Sequence, residues 1–199
     1  MHHGMMKTIF QLAQQKIANM TFEELLCSKD FLNAFESKTI KVFRNIFFPK
    51  PSWDQVIDLL NEDILHDKTR GQWYLLNGWK TSEADRIPEV AEICNTLMKY
   101  FDIYKDNQDR YEDVAGIFAS ITNEPNSHGG IHKDKENILF LQAKGSSKWT
   151  IFKDSGQPQY SDILNESDII FYPGGQDHLV ETISPRYAIS LSFGEIRVK

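Results

Sequence analysis

The sequence predicts a mainly-β chain with a helical cover, an α+β arrangement whose strands form a double-sheet jelly roll. Three observations lead there. The first half carries apolar residues at helical spacing behind recognisable caps. From Val114 onward the apolar period changes to two. The second half is also punctuated at short intervals by Asn123-Glu124-Pro125-Asn126, Gly129-Gly130, Gly145-Ser146, Asp154-Ser155-Gly156, Pro173-Gly174-Gly175 and Ser184-Pro185. Short strands separated by such turns build sandwiches and barrels.

Taken in order, Met6, Ile9, Phe10, Ala13 and Ile17 share one face of a first helix. Thr21 and Glu24 form a capping box that starts a second, short one. Residues 39–48 read as a strand. Ser52 and Gln55 make another capping box, with Trp53, Val56, Ile57, Leu60, Ile64 and Leu65 as the apolar stripe of a helix ending near His66. A further helix spans 88–101, where Val90, Ile93, Leu97 and Phe101 align, and the charged stretch 102–113 is a connector. The expected strands are 116–122, 137–143, 148–153, 168–172, 178–183 and 187–193. The whole chain, 1–199, is read as one domain, with 1–113 mostly helical and 114–199 forming the barrel.

With 199 residues, 41% of them hydrophobic and 25% charged, the chain is long enough to bury one sizeable core. Twenty-eight acidic side chains against 22 basic ones give a formal charge of −6, and no Lys/Arg cluster is present to neutralise a phosphate backbone, so nucleic acid is not the expected partner. No apolar run approaches the roughly 20 residues that span a bilayer, and residues 1–10 lack a secretory pattern, so no membrane association and a cytoplasmic location are expected. Cys27 and Cys94 fall in helical segments outside any CxxC spacing, as reduced, buried packing residues.

Beyond the N-terminal pair, the chain has only four histidines: His66, His128, His132 and His178. His66 is placed to cap a helix C-terminus, and His128 is either a solvated loop residue or a group at a site mouth. His132-Lys133-Asp134 is more informative. On an extended chain, residues two apart point to the same side, so an imidazole and a carboxylate can grip one ion. His178 follows the Pro173-Gly174-Gly175 turn and opens another strand. If it lies across the barrel from the triplet, the three form a facial two-histidine, one-carboxylate set with three coordination positions open, which suits non-haem Fe(II). Trp73, Tyr74 and Trp79 either line an entrance or pack helices onto the sheet.

The segment from Gly129 to Trp149, including His132, Asp134, Gly145 and Trp149, resembles the first metal-ligand strand, hairpin and return strand of the cupin-type, JmjC-related Fe(II)/2-oxoglutarate oxygenases. Ser167 to His178, with Asp168, an apolar strand and Pro173-Gly174, is similar to that family's second ligand segment. The resemblance covers about residues 114–193. It implies that His132, Asp134 and His178 are the catalytic iron ligands, with 2-oxoglutarate and dioxygen as co-substrates. It further implies decarboxylation of 2-oxoglutarate to succinate coupled to hydroxylation of a C–H bond. An aspartate at 134, where halogenating members have a small residue, argues for hydroxylation.

One departure concerns the distal carboxylate of 2-oxoglutarate. JmjC-type members commonly place a lysine two residues after the hairpin glycine, and here that position is Ser147. Lys148 is adjacent but belongs to the opposite strand face. Arg186, just beyond the hairpin that follows His178, is the competing cation, and guanidinium suits bidentate pairing with a carboxylate. Ser120, Thr122, Ser190 and Ser192 are hydroxyl positions able to complete that carboxylate's hydrogen bonds. The expected substrate is a peptide or protein side chain or a small metabolite. The rival readings are a metal-dependent cupin enzyme that does not use 2-oxoglutarate and a non-catalytic cupin-like binding protein.

Overall fold

The computed structural model describes residues 20–65, 79–81, 84–103, 115–120, 130–193 and 196–198. Among them are four α-helices, α1 (Phe22–Leu26), α2 (Lys29–Glu36), α3 (Trp53–Leu65) and α4 (Pro88–Tyr100), and a 3-10 turn at Ala84–Arg86. The strands are β1 (Lys41–Phe43), β2 (Trp79–Thr81), β3 (Phe101–Ile103), β4 (Ala115–Ser120), β5 (His132–Lys133), β6 (Asn137–Lys144), β7 (Ser147–Phe152), β8 (Pro158–Leu164), β9 (Ile169–Tyr172), β10 (Asp177–Thr182), β11 (Arg186–Phe193) and β12 (Ile196–Val198). None of the described helices is long and apolar enough to cross a membrane. The predicted helix over 6–17 lies outside the described residues.

A six-stranded sheet, ordered β1-β9-β6-β11-β4-β2, faces a four-stranded sheet ordered β5-β10-β7-β8. Every pairing in both is antiparallel. The jelly roll expected from the sequence is the observed architecture, and its strands match the predicted ones to within a residue or two where both are described.

Strict alternation gives the six-stranded sheet two different faces. Leu139, Leu141, Ile169, Phe171, Tyr187, Ile189 and Leu191 point to one side, into a core shared with Phe22, Leu25, Phe31, Val56, Val90 and Leu97 of the helices. Phe171 lies edge-on to Phe31 at 5.8 Å between centroids and 5.9 Å from Phe35. Trp53 meets Tyr187 edge-on at 4.9 Å, and the Tyr187 hydroxyl donates to the Pro51 carbonyl, which ties the start of α3 to the sheet. The other face supplies Ile138, Phe140, Ile170, Tyr172 and Ala188 to the barrel interior, where they meet Trp149, Ile151 and Val180 of the facing sheet.

Both capping boxes form. Thr21 and Glu24 exchange hydrogen bonds between side chain and backbone, and Ser52 and Gln55 do the same. The strand expected over 39–48 is confined to β1. Arg44 leaves the ladder to donate to the Ile163 carbonyl at 2.6 Å, to Asp168 at 2.6 Å and to Asp162 at 2.5 Å, and Asn45 adopts φ +55°. The helix over 88–101 stops at Tyr100 because Phe101 enters β3, which pairs with β12, so 102–103 are strand and not connector. Cys94 is buried as expected, but Cys27 is exposed: it terminates α1, where the chain turns outward before Ser28 caps α2.

Candidate metal centre

His132 and His178 stand side by side because β5 pairs with β10 in a register that sets them directly opposite. Their rings are 4.2 Å apart between centroids. Asp134, two residues past His132, is turned toward the same point by the loop before β6. That loop is clamped by the Pro173-Gly174-Gly175 turn. The Gly175 amide donates to the Asp134 carbonyl at 2.7 Å, and the Gly174 amide to Asn137 Oδ1 at 3.2 Å. Gly174 lies so close to this loop that a Cβ there would come within 2.2 Å of the Lys135 carbonyl oxygen, and Gly175 has φ +84°, a region open to glycine. One ligand-type atom from each of His132, Asp134 and His178 lies within 4.8 Å of the others.

The two imidazoles are oriented alike. His132 Nδ1 lies 3.1 Å from the Gly130 carbonyl, and His178 Nδ1 lies 3.1 Å from the Gln176 carbonyl. A carbonyl only accepts, so each Nδ1 carries the proton and each Nε2 presents its lone pair. Burial, with His132 alongside, lowers the His178 pKa and favours the neutral form a cation needs, against the opposing pull of the Gln176 carbonyl, Asp134 and Asp177. Asp134 Oδ2 sits 3.6 Å from His178 Nε2 and accepts a 2.7 Å hydrogen bond from Tyr172. Burial, reinforced by Asp134, holds the Tyr172 phenol protonated, well above its ordinary pKa. Two nitrogen lone pairs and one carboxylate, held by backbone carbonyls behind them, are a donor set that fits a divalent first-row transition metal.

Beyond the cluster the interior is apolar, and then polar again. Trp149 stacks on His178 at 5.5 Å, Phe140 meets Trp149 at 4.8 Å, and the Arg186 guanidinium lies 5.9 Å from the Phe140 centroid. Arg186 is fully buried. Its Nε donates to Thr182 Oγ1 at 3.2 Å, while Nη1 and Nη2 have no acceptor among the described residues. Desolvation lowers its pKa to about 9, still charged at neutral pH. The buried indole N–H of Trp149 also lacks an acceptor among the described residues. Buried donors of this kind are normally satisfied, so a guanidinium with two orphaned nitrogens inside a barrel fits an anionic guest.

The remaining candidates separate cleanly. Ser120 is buried on β4 directly across the ladder from Arg186, and Ser190 is buried on the same face of β11 as Arg186. Ser192 shares that face and is half-buried. Lys148 does not reach the interior. It lies in an unbulged register opposite Glu181, on the outer face of β7, and pairs with that carboxylate at 3.1 Å with nearly half its side chain exposed. Ser147 does face inward, but its hydroxyl is taken by Gln142 Oε1 at 2.7 Å, and Gln142 in turn donates to the Lys144 carbonyl. Thr122, His66, His128, Trp73 and Tyr74 lie outside the described residues, and Trp79 opens β2. Tyr172, Gln142 and Thr182 were not singled out from the sequence, and Trp149 entered only as the end of the resembling segment. Each is one inward position of an ordinary alternating strand, and only the HxD spacing and the Pro-Gly turn carry a signal there.

No protein-family model matches the chain, and no curated protein sequence is similar to it. Solved structures are similar in fold. The chain superposes on YcfD, a ribosomal oxygenase from Escherichia coli, in complex with cobalt and 2-oxoglutarate, with a TM-score of 0.57 and 16% identity over 83% of this chain and 51% of that one. The complex of YcfD with cobalt and succinic acid gives 0.58 and 15%, again over 83% and 51%. The chain therefore spans about half the length of the proteins it resembles. At such identities the likeness is one of fold alone.

Proposed function

We propose that this chain is an Fe(II)- and 2-oxoglutarate-dependent hydroxylase, with His132, Asp134 and His178 as iron ligands and Arg186 as the seat of the co-substrate's distal carboxylate. The observation that carries this reading is the pairing of a two-histidine, one-carboxylate cluster with a buried, acceptor-poor guanidinium in one barrel interior. Charge supports it too. A divalent cation beside Asp134 leaves one positive charge and Arg186 adds another, so a dicarboxylate dianion neutralises both in a low-dielectric interior.

Iron held by these three side chains would supply the oxidation, joining dioxygen and 2-oxoglutarate to give succinate, carbon dioxide and a hydroxylated C–H bond. The protein's own contribution is positioning and exclusion of water. Backbone carbonyls fix both imidazoles as Nε2 donors. Ser120 and Ser190 are the hydroxyl positions that would complete the hydrogen bonds of a carboxylate beside Arg186. Trp149, Phe140, Ile138 and Val180 pack as an apolar cluster in the barrel interior. That YcfD is a ribosomal oxygenase favours a protein side chain over a small metabolite as substrate. A location inside the cell belongs to this same reading.

Anaerobic addition of Fe(II) and then 2-oxoglutarate tests it. The expected result is a visible charge-transfer band, absent from His178→Ala, which loses iron binding. Iron binding without a band would overturn the co-substrate assignment in favour of a cupin enzyme of different chemistry, a reading to which the closed Ser147–Gln142 pair lends support. No iron binding would overturn the enzyme reading itself.

A further inference from the structure

Resting on that metal reading, we infer that Tyr172 is a positioning residue for Asp134, its hydroxyl fixing the carboxylate with Oδ2 turned toward the histidine ligands. Tyr172 ends β9 with its ring inside the barrel, 2% exposed. The ring is wedged between Trp149, 5.2 Å away, and His178, 4.8 Å away, so the phenol has one direction in which to point. That direction is the cluster. Its oxygen lies 2.7 Å from Asp134 Oδ2 and 3.5 Å from His178 Nε2. Both atoms accept, the phenol has one proton, and the shorter contact to the charged oxygen takes it.

Asp134 needs such a hold. It follows a strand of only two residues, and its side chain is about a third exposed. Its main chain is secured by the Gly175 amide, but that bond leaves the carboxylate free to turn about its own side-chain bonds. The phenol is the hydrogen-bond donor that aims it inward. The same Oδ2 lies 3.6 Å from His178 Nε2, so the bond fixes the oxygen nearest the histidine ligands while leaving it a further lone pair for an ion. Nothing in the sequence marks this residue, because a tyrosine in the run Ile169-Ile170-Phe171-Tyr172 reads as one more apolar strand position.

The test uses cobalt(II) alone, titrated into wild type and Tyr172→Phe, which keeps the ring and removes only the hydroxyl. Thermal melts of the two metal-free proteins verify that the fold is retained. The expected result is cobalt(II) affinity weaker by about 10-fold or more, the loss typical of removing an outer partner of a ligand. It should come with a change in the position or intensity of the cobalt d–d bands as the carboxylate changes its mode of binding. Equal affinity and superimposable spectra would overturn the role of Tyr172 while leaving the metal centre standing. If wild type takes up no cobalt(II), the metal reading fails and the inference fails with it.

Discussion

The two faces of the six-stranded sheet are made from the same strands and do opposite things. Toward the helices, β6, β9 and β11 present Leu139, Leu141, Ile169, Phe171, Ile189 and Leu191, an apolar surface that is fully buried. Toward the barrel the same strands present Phe140, Ile170 and Ala188 in the middle, Tyr172 at the ligand end and Gln142 and Arg186 at the other. The helix side gains from burial alone. The barrel side carries a buried guanidinium, which is costly without an anion to meet it. The difference teaches that stability is concentrated on one face, which leaves the other able to carry groups that a well-satisfied core would reject.

Substitutions that act on one face only sharpen this comparison. Phe171→Ala removes a ring that contacts Phe31 and Phe35 and should cost about 3–5 kcal/mol in urea unfolding, the largest effect. The protein that stays folded should keep its cobalt(II) affinity. Arg186→Leu should do the reverse. Replacing a buried, half-satisfied charge with an apolar side chain should leave stability unchanged or raise it by about 1–2 kcal/mol, while iron binding persists and the 2-oxoglutarate band disappears. A loss of stability comparable to that of Phe171→Ala would break the comparison, because Arg186 would then be part of the fold's support.

The smallest effect lies outside both faces, where Asp162 and Glu166 are held below their ordinary carboxylate values. In each case burial pulls upward and is outweighed, for Asp162 by Tyr160, Arg44 and the Ile163 amide, and for Glu166 by Lys50 and Lys144. A lowered folded pKa contributes stability that is present above the unfolded value, near 4, and lost as pH falls through the folded one. The urea midpoint should therefore drop between pH 5 and pH 3, and Asp162→Asn should make that drop shallower. An unchanged slope in the variant would remove the Arg44 network from the account. These groups are partly exposed, so the change is modest and salt-sensitive.

How much of this was legible in the sequence follows from what each residue type signals. The period change near Val114 and the turn punctuation announce strands, and the capping boxes at Thr21 and Ser52 announce helix starts, because both signals are local. The two-residue spacing made it legible that His132 and Asp134 share one side of the chain, whereas the approach of His178 was implied only by the resemblance to the cupin-type oxygenases. The strand Pro158–Leu164 escaped notice because it is an edge strand with Pro158, Gln159, Ser161 and Ile163 exposed, so it shows little apolar alternation. The strand over 39–48 was overextended because Val42, Phe43, Ile46 and Phe48 look continuous. The break at Arg44 depends on Asp162 and Asp168, more than a hundred residues away. Lys148 could be doubted from parity, but its partner Glu181 is fixed only by the β7–β10 register.

The shortness of β5 has a kinetic consequence. His178 rides on a six-residue strand anchored to β7 along its whole length, whereas His132 is joined to β10 through a two-residue ladder and Asp134 lies just past its end. Opening that ladder breaks few backbone bonds and costs a small part of the global unfolding free energy. One half of the cluster therefore rests on a long ladder, and the other on a short one backed by the Gly174-Gly175 clamp. A bound ion would arrive and leave at the pace of this local opening, on a timescale of microseconds to seconds, and not at the pace at which the barrel itself comes apart.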